Sequence, residues 1–582
     1  MNYPIWELPS SGLLIAFVAI VHVFISHFAV GGGLFLVVTE RRARRLDDER
    51  LLAYVRWHSR FFVLLTLVAG ALTGVGIWFT IGLVHPSATS ALIQTWVWGW
   101  AIEWTFFAVE IAAAMVYYYG WDRLDARTHL AVGWVYFVSA WLSLVVINGI
   151  LAYMLTPGDW LVTRGLFDGF FNPTYWPSLV ARTFVCVGLA GLYALFTVAW
   201  SRDRSLRAQV ARYAGLGWII PMAVALPLSL VWYLAAADGA GVGVATVFGA
   251  ADGTASTIVF SLFATTSTGH PVVRAAAQVS LLASLALVVI TLAIVLTRHL
   301  VMARTLASLA MVAGLLAFGG AEWVREGLRK PYVIGRVMFV NAVRMPAASG
   351  ARPTAVPDAF TVDALNAGGL LKASAWTRLP DVDDATVDEV TYATAEGREV
   401  FKILCSSCHT VDGHLGVRPL VQGRGVDALT GMLGRLADPV DAAGVPTSWS
   451  NPAVQLTTWR GRRMPPFVGT DHEKRALAVY LAHLGGAGPE ALASALSGGA
   501  GVDDLGRRFF EENCSMCHGD GGGWPFAGRP PRSADEFYEM LGKLPELNEM
   551  MPAFPGSDTE RRAVAAHLAA LTAGPGAKES AR

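Results

Sequence analysis

Long apolar segments follow one another along the first 322 residues of the chain. Each is near or above the roughly 20 residues that a helix needs to cross about 30 Å of hydrocarbon. The pattern therefore predicts a bundle of membrane-spanning helices. The eight predicted spans lie near 11–38, 58–84, 93–119, 129–155, 178–200, 213–237, 276–297 and 303–322. No basic stretch precedes the first span, so we expect a membrane helix there and not a cleavable signal peptide.

Beyond the spans the pattern changes twice. Residues 338–390 are rich in Pro, Ala, Asp and Thr and predict a tether. Two similar stretches follow, at 391–488 and 500–574, and predict two copies of one small helical domain. The repeated features are Gly397-x3-Phe401-x3-Cys405 and Gly506-x3-Phe510-x3-Cys514, and the equal spacings Met464 to Leu481 and Met551 to Leu568. The predicted fold is all-α, an eight-helix membrane bundle over 1–337 followed by these two domains.

Composition agrees with a membrane protein, because 54% of the residues are hydrophobic and 15% are charged. The 45 Lys and Arg balance the 45 Asp and Glu, so no net charge attracts nucleic acid. We expect membrane lipid around the chain and no nucleic-acid partner.

The basic residues are placed unevenly among the connections between spans. Cationic connections remain in the cytoplasm, and the connections near 83–94 and 238–271 contain no Lys or Arg. This alternation predicts a bacterial inner-membrane protein with both termini in the periplasm. The basic connections carry Arg41, Arg42, Arg44, Arg45, Arg50, Arg56 and Arg60, then Arg202, Arg204, Arg207 and Arg212, then Arg298 and Arg304.

Four of the five cysteines lie in two C-x-x-C-H motifs, the pattern of covalent haem c attachment. Zinc and redox motifs share part of this spacing, but the duplication and the outer location favour haem. The predicted thioether residues are Cys405, Cys408, Cys514 and Cys517, and the predicted iron ligands are His409 and His518. The fifth cysteine, Cys186, lies in an apolar run and is expected to be a packed thiol.

Each haem c needs a second axial ligand from elsewhere in its domain. Met464 and Met551 are the candidates because each precedes a proline at the same place in the repeat, with Met550 as a neighbouring alternative. A His/Met pair raises the reduction potential, which suits an electron carrier. Both repeats resemble class I cytochrome c along their whole length.

Ionisable side chains also lie within the predicted spans, where they are costly and usually functional. His22 and His27 are five positions apart on one span, so they are expected to face different partners. Glu103 and Glu110 are seven apart and share a helix face. Glu322, Glu326 and Arg329 share a face at the end of the eighth span.

These residues lie in motifs that resemble subunit I of cytochrome bd quinol oxidases over roughly residues 10–337. The motifs are His22-x8-Gly31-x8-Glu40, Glu103 to Glu110 leading into Gly-Trp-Asp-Arg-Leu at 120–124, His129, Asn148-Gly149, and Glu326-x2-Arg329-Lys-Pro-Tyr. The resemblance implies haem b, haem d or both in the membrane domain, and a second membrane subunit. It implies that His22 and Glu326 are axial ligands of a high-spin haem pair and that Glu110 belongs to the proton or ligand environment of that pair. Arg329 would then pair with a haem propionate or with Glu326.

The sequence also departs from this family. The fifth span has Arg182 near the position of the family's low-spin haem histidine and has no histidine, and the seventh has no methionine to complete that ligand pair. Glu103 is one residue out of register with the family's glutamate, and the connection 238–275 lacks the Lys and Glu of a quinol-binding loop. We therefore expect no low-spin haem and no quinol oxidation in the family's manner.

Three functions remain open from the sequence. In the first, electrons pass between the two c haems and a high-spin membrane haem that reduces oxygen or another small oxidant, with a periplasmic cytochrome or quinol as redox partner. Glu103, Glu110 and Glu40 would help to supply protons, although Glu40 could instead cap its helix. In the second, the protein is an electron conduit from menaquinol or a partner subunit to periplasmic cytochromes. In the third, a haem-free membrane part anchors the two cytochrome domains.

Overall fold

The computed structural model separates the chain into two compact units, a membrane unit over Ser11–Ala342 and a C-terminal unit that includes Val356–Arg582. The residues described are 6, 11–264, 269–297, 299–346, 350, 360–380, 388–436, 464–497, 505–518, 524–526, 529–548, 551, 553–554 and 558–573.

The membrane unit contains the eight predicted spans as eight long helices, which confirms the all-helical bundle. Each has a mean hydropathy and a length that suit a membrane crossing. The helices are α1 (Ser11–Arg45), α2 (Glu49–Val84), α3 (Val97–Tyr119), α4 (Ala126–Tyr153), α5 (Tyr175–Val198), α6 (Arg204–Gly239), α7 (Pro271–Leu296) and α8 (Leu300–Arg329). A π-helical turn interrupts α2 at Leu64–Gly70 and α6 at Gly215–Ile219.

The helices extend beyond the apolar segments that predicted them. The basic residues at the end of α1 continue the helix to Arg45, where cations stabilise the C-terminal end of the helix dipole. Asp48 then caps α2, because its Oδ1 accepts a hydrogen bond of 3.0 Å from the amide of Leu51. Much of the first basic connection is therefore helix and not loop.

The core of the membrane unit lies where α5 packs against α1. In the apolar stretch of α5, 67% of the residues are buried, whereas in that of α2 only 6% are buried. The two backbones approach so closely at Gly31 that a Cβ atom there would lie 1.8 Å from the carbonyl oxygen of Cys186. Beside this point the rings of Phe28 and Tyr193 are 4.0 Å apart. Cys186 is buried in this packing, as the sequence predicted.

Shorter elements connect the long helices. An antiparallel pair of strands, β1 (Tyr332–Ile334) and β2 (Met338–Phe339), follows α8. The short helices of the membrane unit are Pro86–Thr95, Trp160–Thr163, Leu166–Phe170, Val244–Phe248 and Ala255–Phe263.

The C-terminal unit is also helical in its described residues. Its longer helices are α9 (Glu389–Leu404), α10 (Val426–Arg435), α11 (Asp471–Leu484), α12 (Leu505–Asn513) and α13 (Asp558–Ala573). Its shorter helices are Val362–Gly368, Leu370–Ala373, Arg418–Val421, Pro489–Ser497, Ser515–His518, Ala534–Leu541 and Leu544–Leu547.

Part of the predicted tether is folded against the first repeat. Its two short helices, Val362–Gly368 and Leu370–Ala373, are hydrogen-bonded to the segment that leads into α11. The amide of Leu371 donates to Glu473 Oε1 at 2.7 Å, and the amide of Gly469 donates to Asn366 Oδ1 at 3.0 Å. These two helices lie within the predicted tether 338–390, and their polar partners lie more than 100 positions away in the sequence.

The start of α11 supports a first testable prediction. Thr470 and Glu473 form a reciprocal capping box. Replacing Thr470 by alanine should lower the free energy of unfolding of the first repeat by about 1 kcal/mol, since the Glu473 amide loses its acceptor. Thermal unfolding of the full chain, followed at the haem c absorption bands, measures the change. Thr470→Ser keeps the acceptor and should unfold like the parent; equal losses in both variants would contradict the capping explanation.

Candidate haem-binding sites

The first C-x-x-C-H motif directly follows α9, and α11 packs across that helix. A Cβ atom on Gly397 would lie 2.0 Å from the carbonyl oxygen of Ala476, so only glycine allows the two helices this approach. One turn further along α9, Phe401 packs against Tyr480 with ring centroids 5.7 Å apart. The motif is thereby held at the end of a fixed helix pair.

The second motif is built in the same way from α12 and α13. A Cβ atom on Gly506 would lie 2.0 Å from the carbonyl oxygen of Ala563. Phe510 packs against His567 at 5.4 Å. In both repeats the aromatic partner lies 16 positions after the candidate methionine, so the sequence repeat is also a repeat of contacts.

The motif histidines are prepared for metal binding by the same hydrogen bond in each domain. His409 Nδ1 lies 2.8 Å from the carbonyl oxygen of Leu415, and His518 Nδ1 lies 2.8 Å from that of Trp524. A carbonyl oxygen only accepts, so Nδ1 carries the proton and Nε2 keeps its lone pair for iron. Burial also lowers the pKa of His409, which favours the neutral ring. Both sites fit a haem c.

The remaining predicted c-haem residues are half-buried or exposed. Cys405, Cys408 and Cys514 are half-buried thiols, and Cys517 is exposed. Met464 and Met551 are both half-buried. Met550, the alternative ligand, lies outside the described residues. The methionine ligands stay predictions.

Three polar contacts join α3 and α4 inside the membrane unit at a spacing of seven residues. Ser143 Oγ donates to Glu103 Oε1 at 2.9 Å, and Tyr136 lies 2.9 Å from Glu110 Oε1. The third contact joins His129 Nε2 to the carbonyl oxygen of Tyr117 at 2.9 Å. We call these contacts the three rungs. They arise because 103, 110 and 117 share one face of α3, while 143, 136 and 129 share one face of the antiparallel α4.

Glu40 of α1 completes the rung at Tyr117 and His129, and its side chain is fully buried. Its two oxygens lie 2.9 and 3.0 Å from His129 Nδ1, and it also accepts from Tyr117 and Arg44 at 2.7 Å each. Since His129 Nε2 must donate to a carbonyl, the contact between Nδ1 and the carboxylate needs a further proton. Glu40 and His129 therefore hold one proton between them.

His22 presents a free ring nitrogen. Its Nδ1 lies 3.1 Å from Thr73 Oγ1, whose own proton goes to the carbonyl oxygens of Ala69 and Gly70. Nδ1 therefore donates and Nε2 keeps its lone pair. Among the described residues none hydrogen-bonds this Nε2, so His22 fits an iron ligand.

Glu326 lies within a cluster of cations at the end of α8. Its Oε2 pairs with Arg329, and its Oε1 lies 3.0 Å from Lys330 Nζ. Arg329 also donates to the carbonyl oxygen of Val333 at 2.7 Å. His85 lies near these charges: burial, Lys330 and Arg329 lower its pKa to about 3 and keep it neutral. Each of its two oxygens keeps a further lone pair beside the cation, so Glu326 could still bind a metal.

A separate ionic network joins α1, α5 and α8. Arg182 lies 3.2 Å from both His27 Nε2 and Glu322 Oε1, and Arg325 lies 2.7 Å from Glu322 Oε2. His22 and His27 thus face different partners, as their spacing indicated. We call the four residues His27, Arg182, Glu322 and Arg325 the ionic junction.

His22, Glu110 and Glu326 have separate hydrogen-bond partners, and no described hydrogen bond joins any two of them. Sequence reasoning missed Thr73, Tyr117, Tyr136, Ser143 and His85. The seven-residue spacing of His129, Tyr136 and Ser143 along α4 could have indicated the three rungs. It also missed His58, which is fully buried with Nδ1 2.9 Å from Thr197 and with the rings of Phe28, Phe35, Tyr54 and Phe61 around it at centroid distances of 5.4–6.3 Å.

Parts of both units match known family models. Residues 11–247 match the family model of cytochrome bd terminal oxidase subunit I. Residues 393–481 and 502–568 match the family model of cytochrome c oxidase, cbb3-type, subunit III. Glu322, Glu326 and Arg329 lie outside the first match.

Among solved structures, a chain of the bd oxidase from Geobacillus thermodenitrificans is similar, with a TM-score of 0.44 and 16% sequence identity over 56% of this chain and 87% of that chain. A search of curated proteins found no match.

The fold and the matches define a respiratory electron-transfer protein of the membrane. More particularly, this chain joins a membrane region of the cytochrome bd subunit I type to two cytochrome c domains.

Proposed function

We propose that this protein is a bd-type oxidoreductase in which electrons pass between the two c haems and a membrane haem site formed by His22, Glu110 and Glu326. The acceptor is dioxygen or another small oxidant. The observation that carries the proposal is the free Nε2 of His22, fixed by Thr73 and placed inside the bundle.

The residues that would hold the cofactors follow from the two kinds of site. Cys405, Cys408, Cys514 and Cys517 attach two haems c, with His409, Met464, His518 and Met551 as iron ligands. His22 and Glu326 bind haem b or haem d in the membrane unit, where Arg329 holds Glu326 or a propionate. A haem held there with an open iron position would bind and reduce the small oxidant.

The three rungs would supply protons to this site. Glu40 and His129 hold a proton at the end of α1 that carries the arginines, and Glu110 and Glu103 repeat a carboxyl group every seven residues. Successive rungs are about 10.5 Å apart along the helices, so water molecules would carry protons between them. Tyr136 and Ser143 orient the two carboxyl groups.

The proposed setting is a bacterial inner membrane, with both termini and the cytochrome domains in the periplasm. The distribution of arginines among the connections supports this orientation. A second membrane subunit and a periplasmic cytochrome or quinol are the proposed partners.

The carbon-monoxide difference spectrum of the reduced, purified protein tests the proposal, because the gas binds only iron with an open or weakly held position. We expect a signal at a b- or d-type haem that His22→Ala abolishes. His58→Phe is the matched control, since it removes a buried histidine of the same bundle whose Nε2 also has no hydrogen-bond partner among the described residues; its signal should persist, and loss of the signal in this variant alone would assign the ligand to His58. An unchanged signal in His22→Ala would refute the ligand assignment, and no signal in the parent would refute oxidant reduction.

A further inference from the structure

The ionic junction lies in the interior of the membrane unit, where charges are expensive unless paired. The side chain of Arg182 is 9% exposed and that of Glu322 is 16% exposed. Arg182 of α5 reaches α1 through His27 and α8 through Glu322. The junction therefore ties three membrane helices together with side chains alone.

His27 has no nitrogen left for a metal. Its Nδ1 lies 2.8 Å from the carbonyl oxygen of Val23 and must donate to it, while Nε2 accepts from Arg182. The fully described helices α5 and α7 contribute no histidine and no methionine, respectively. The residues at this junction do not fit a low-spin haem, because no pair of free axial ligands faces it.

Hydrogen bonds hold the described part of the connection between α6 and α7, which is 240–264 and 269–270. Asp238, at the end of α6, and Asp252, in the connection, accept from the backbone amides of Val244 and Thr254 at 2.9 Å each. Arg274 of α7 donates to the carbonyl oxygens of Ser261, Leu262 and Ala264 at 2.7, 3.1 and 2.8 Å. Both carboxylates therefore accept hydrogen bonds from the turns around this connection, and residues 240–270 contain no glutamate and no lysine.

We propose that the ionic junction takes the place of a low-spin haem, and that the membrane site receives electrons only through the C-terminal cytochrome domains. The donor is then a one-electron carrier protein and not a quinol. This inference rests on the proposed function in taking the membrane unit to bind haem.

The electron balance distinguishes the two donors. A cytochrome donor gives one electron at each encounter and is oxidised by one unit, with no proton released. Where dioxygen is the acceptor, four such electrons and four protons give two waters. A quinol would give two electrons and two protons at once, and it needs a nearby base for those protons.

Anaerobic reduction of the full-length protein tests the donor. A variant with all four motif cysteines replaced by alanine lacks the c haems. Full chemical reduction with dithionite then measures how much noncovalent haem this variant keeps. We expect reduced soluble cytochrome c to reduce the noncovalent haem in the parent and not in this variant, and a soluble menaquinol analogue to reduce it in neither. Reduction by the quinol in the variant would overturn the inference alone. Absence of dithionite-reducible noncovalent haem from the parent would refute the proposed function instead.

The spin state of the parent gives a second test that needs no variant. All noncovalent haem is expected to be high-spin and to bind carbon monoxide; a low-spin noncovalent haem would overturn the inference. Arg182→Met should lower the midpoint of thermal unfolding and leave the haem content and spin state unchanged, whereas Arg202→Met, at an exposed arginine, should change none of them. Loss of a haem in Arg182→Met would contradict the claim that the ionic junction holds no haem.

Discussion

Replacing Gly31 by alanine is expected to unfold the membrane unit. The added Cβ would lie 1.8 Å from the carbonyl oxygen of Cys186 and 2.4 Å from its carbonyl carbon. Both are backbone atoms in the middle of packed helices, so neither can move without separating α1 from α5. We expect a loss at the upper end of the cost of overpacking a core, about 3 kcal/mol, or beyond it. Thermal unfolding in detergent, followed by far-ultraviolet circular dichroism, measures it.

The control for this variant is Gly82→Ala. Gly82 lies within the helical span α2, and a Cβ atom there would meet nothing within 4 Å. This change should be neutral or slightly stabilising, because alanine favours the helix. If Gly31→Ala unfolded at the same temperature as Gly82→Ala, the close approach of α1 and α5 would be wrong.

Replacing Glu40 by leucine should have the second largest effect. The change removes the acceptor of Tyr117, the carboxylate partner of Arg44 and the group that shares a proton with His129. Removing one partner of a buried ion pair costs about 3–5 kcal/mol. We expect a lower midpoint of unfolding and, in the purified protein, a slower oxidant reduction as the proton-holding pair is lost.

Glu40→Gln separates these two effects. Glutamine keeps a carbonyl acceptor for Tyr117 and has nearly the same volume, so most of the stability should return. It cannot share a proton with His129, so oxidant reduction should remain slow. Full activity in the stable Gln variant would contradict the proton-supply role and leave Glu40 as a structural residue.

The sequence predicted the elements whose signals are local. The eight spans follow from continuous apolar length, and the two cytochrome domains follow from a motif in which cysteines and histidine are adjacent. The resemblance to cytochrome bd subunit I is confirmed over residues 11–247, and the cytochrome c resemblance over the two matched repeats.

The polar partners inside the bundle could not be predicted in the same way. Arg182 and His27 are 155 positions apart, and His22 and Thr73 are 51 apart, so their pairing depends on which helices become neighbours. Hydropathy determines that a segment spans the membrane but not which face meets which neighbour. Helix ends were misplaced for a related reason, because charged residues such as Arg44 and Glu326 continue helices that apolar content alone would end.

The three rungs also determine which changes to α3 the protein can tolerate. Outside the rung face, α3 exposes large apolar side chains, with Trp98 at 70% and Trp104 at 57% exposure, and these positions should accept other apolar residues. A deletion of one residue between Glu103 and Glu110 would rotate part of the helix by about 100°. One of the two carboxyl groups would then turn from its partner on α4 towards lipid. Length within α3 is therefore under stronger constraint than side-chain identity over most of its surface.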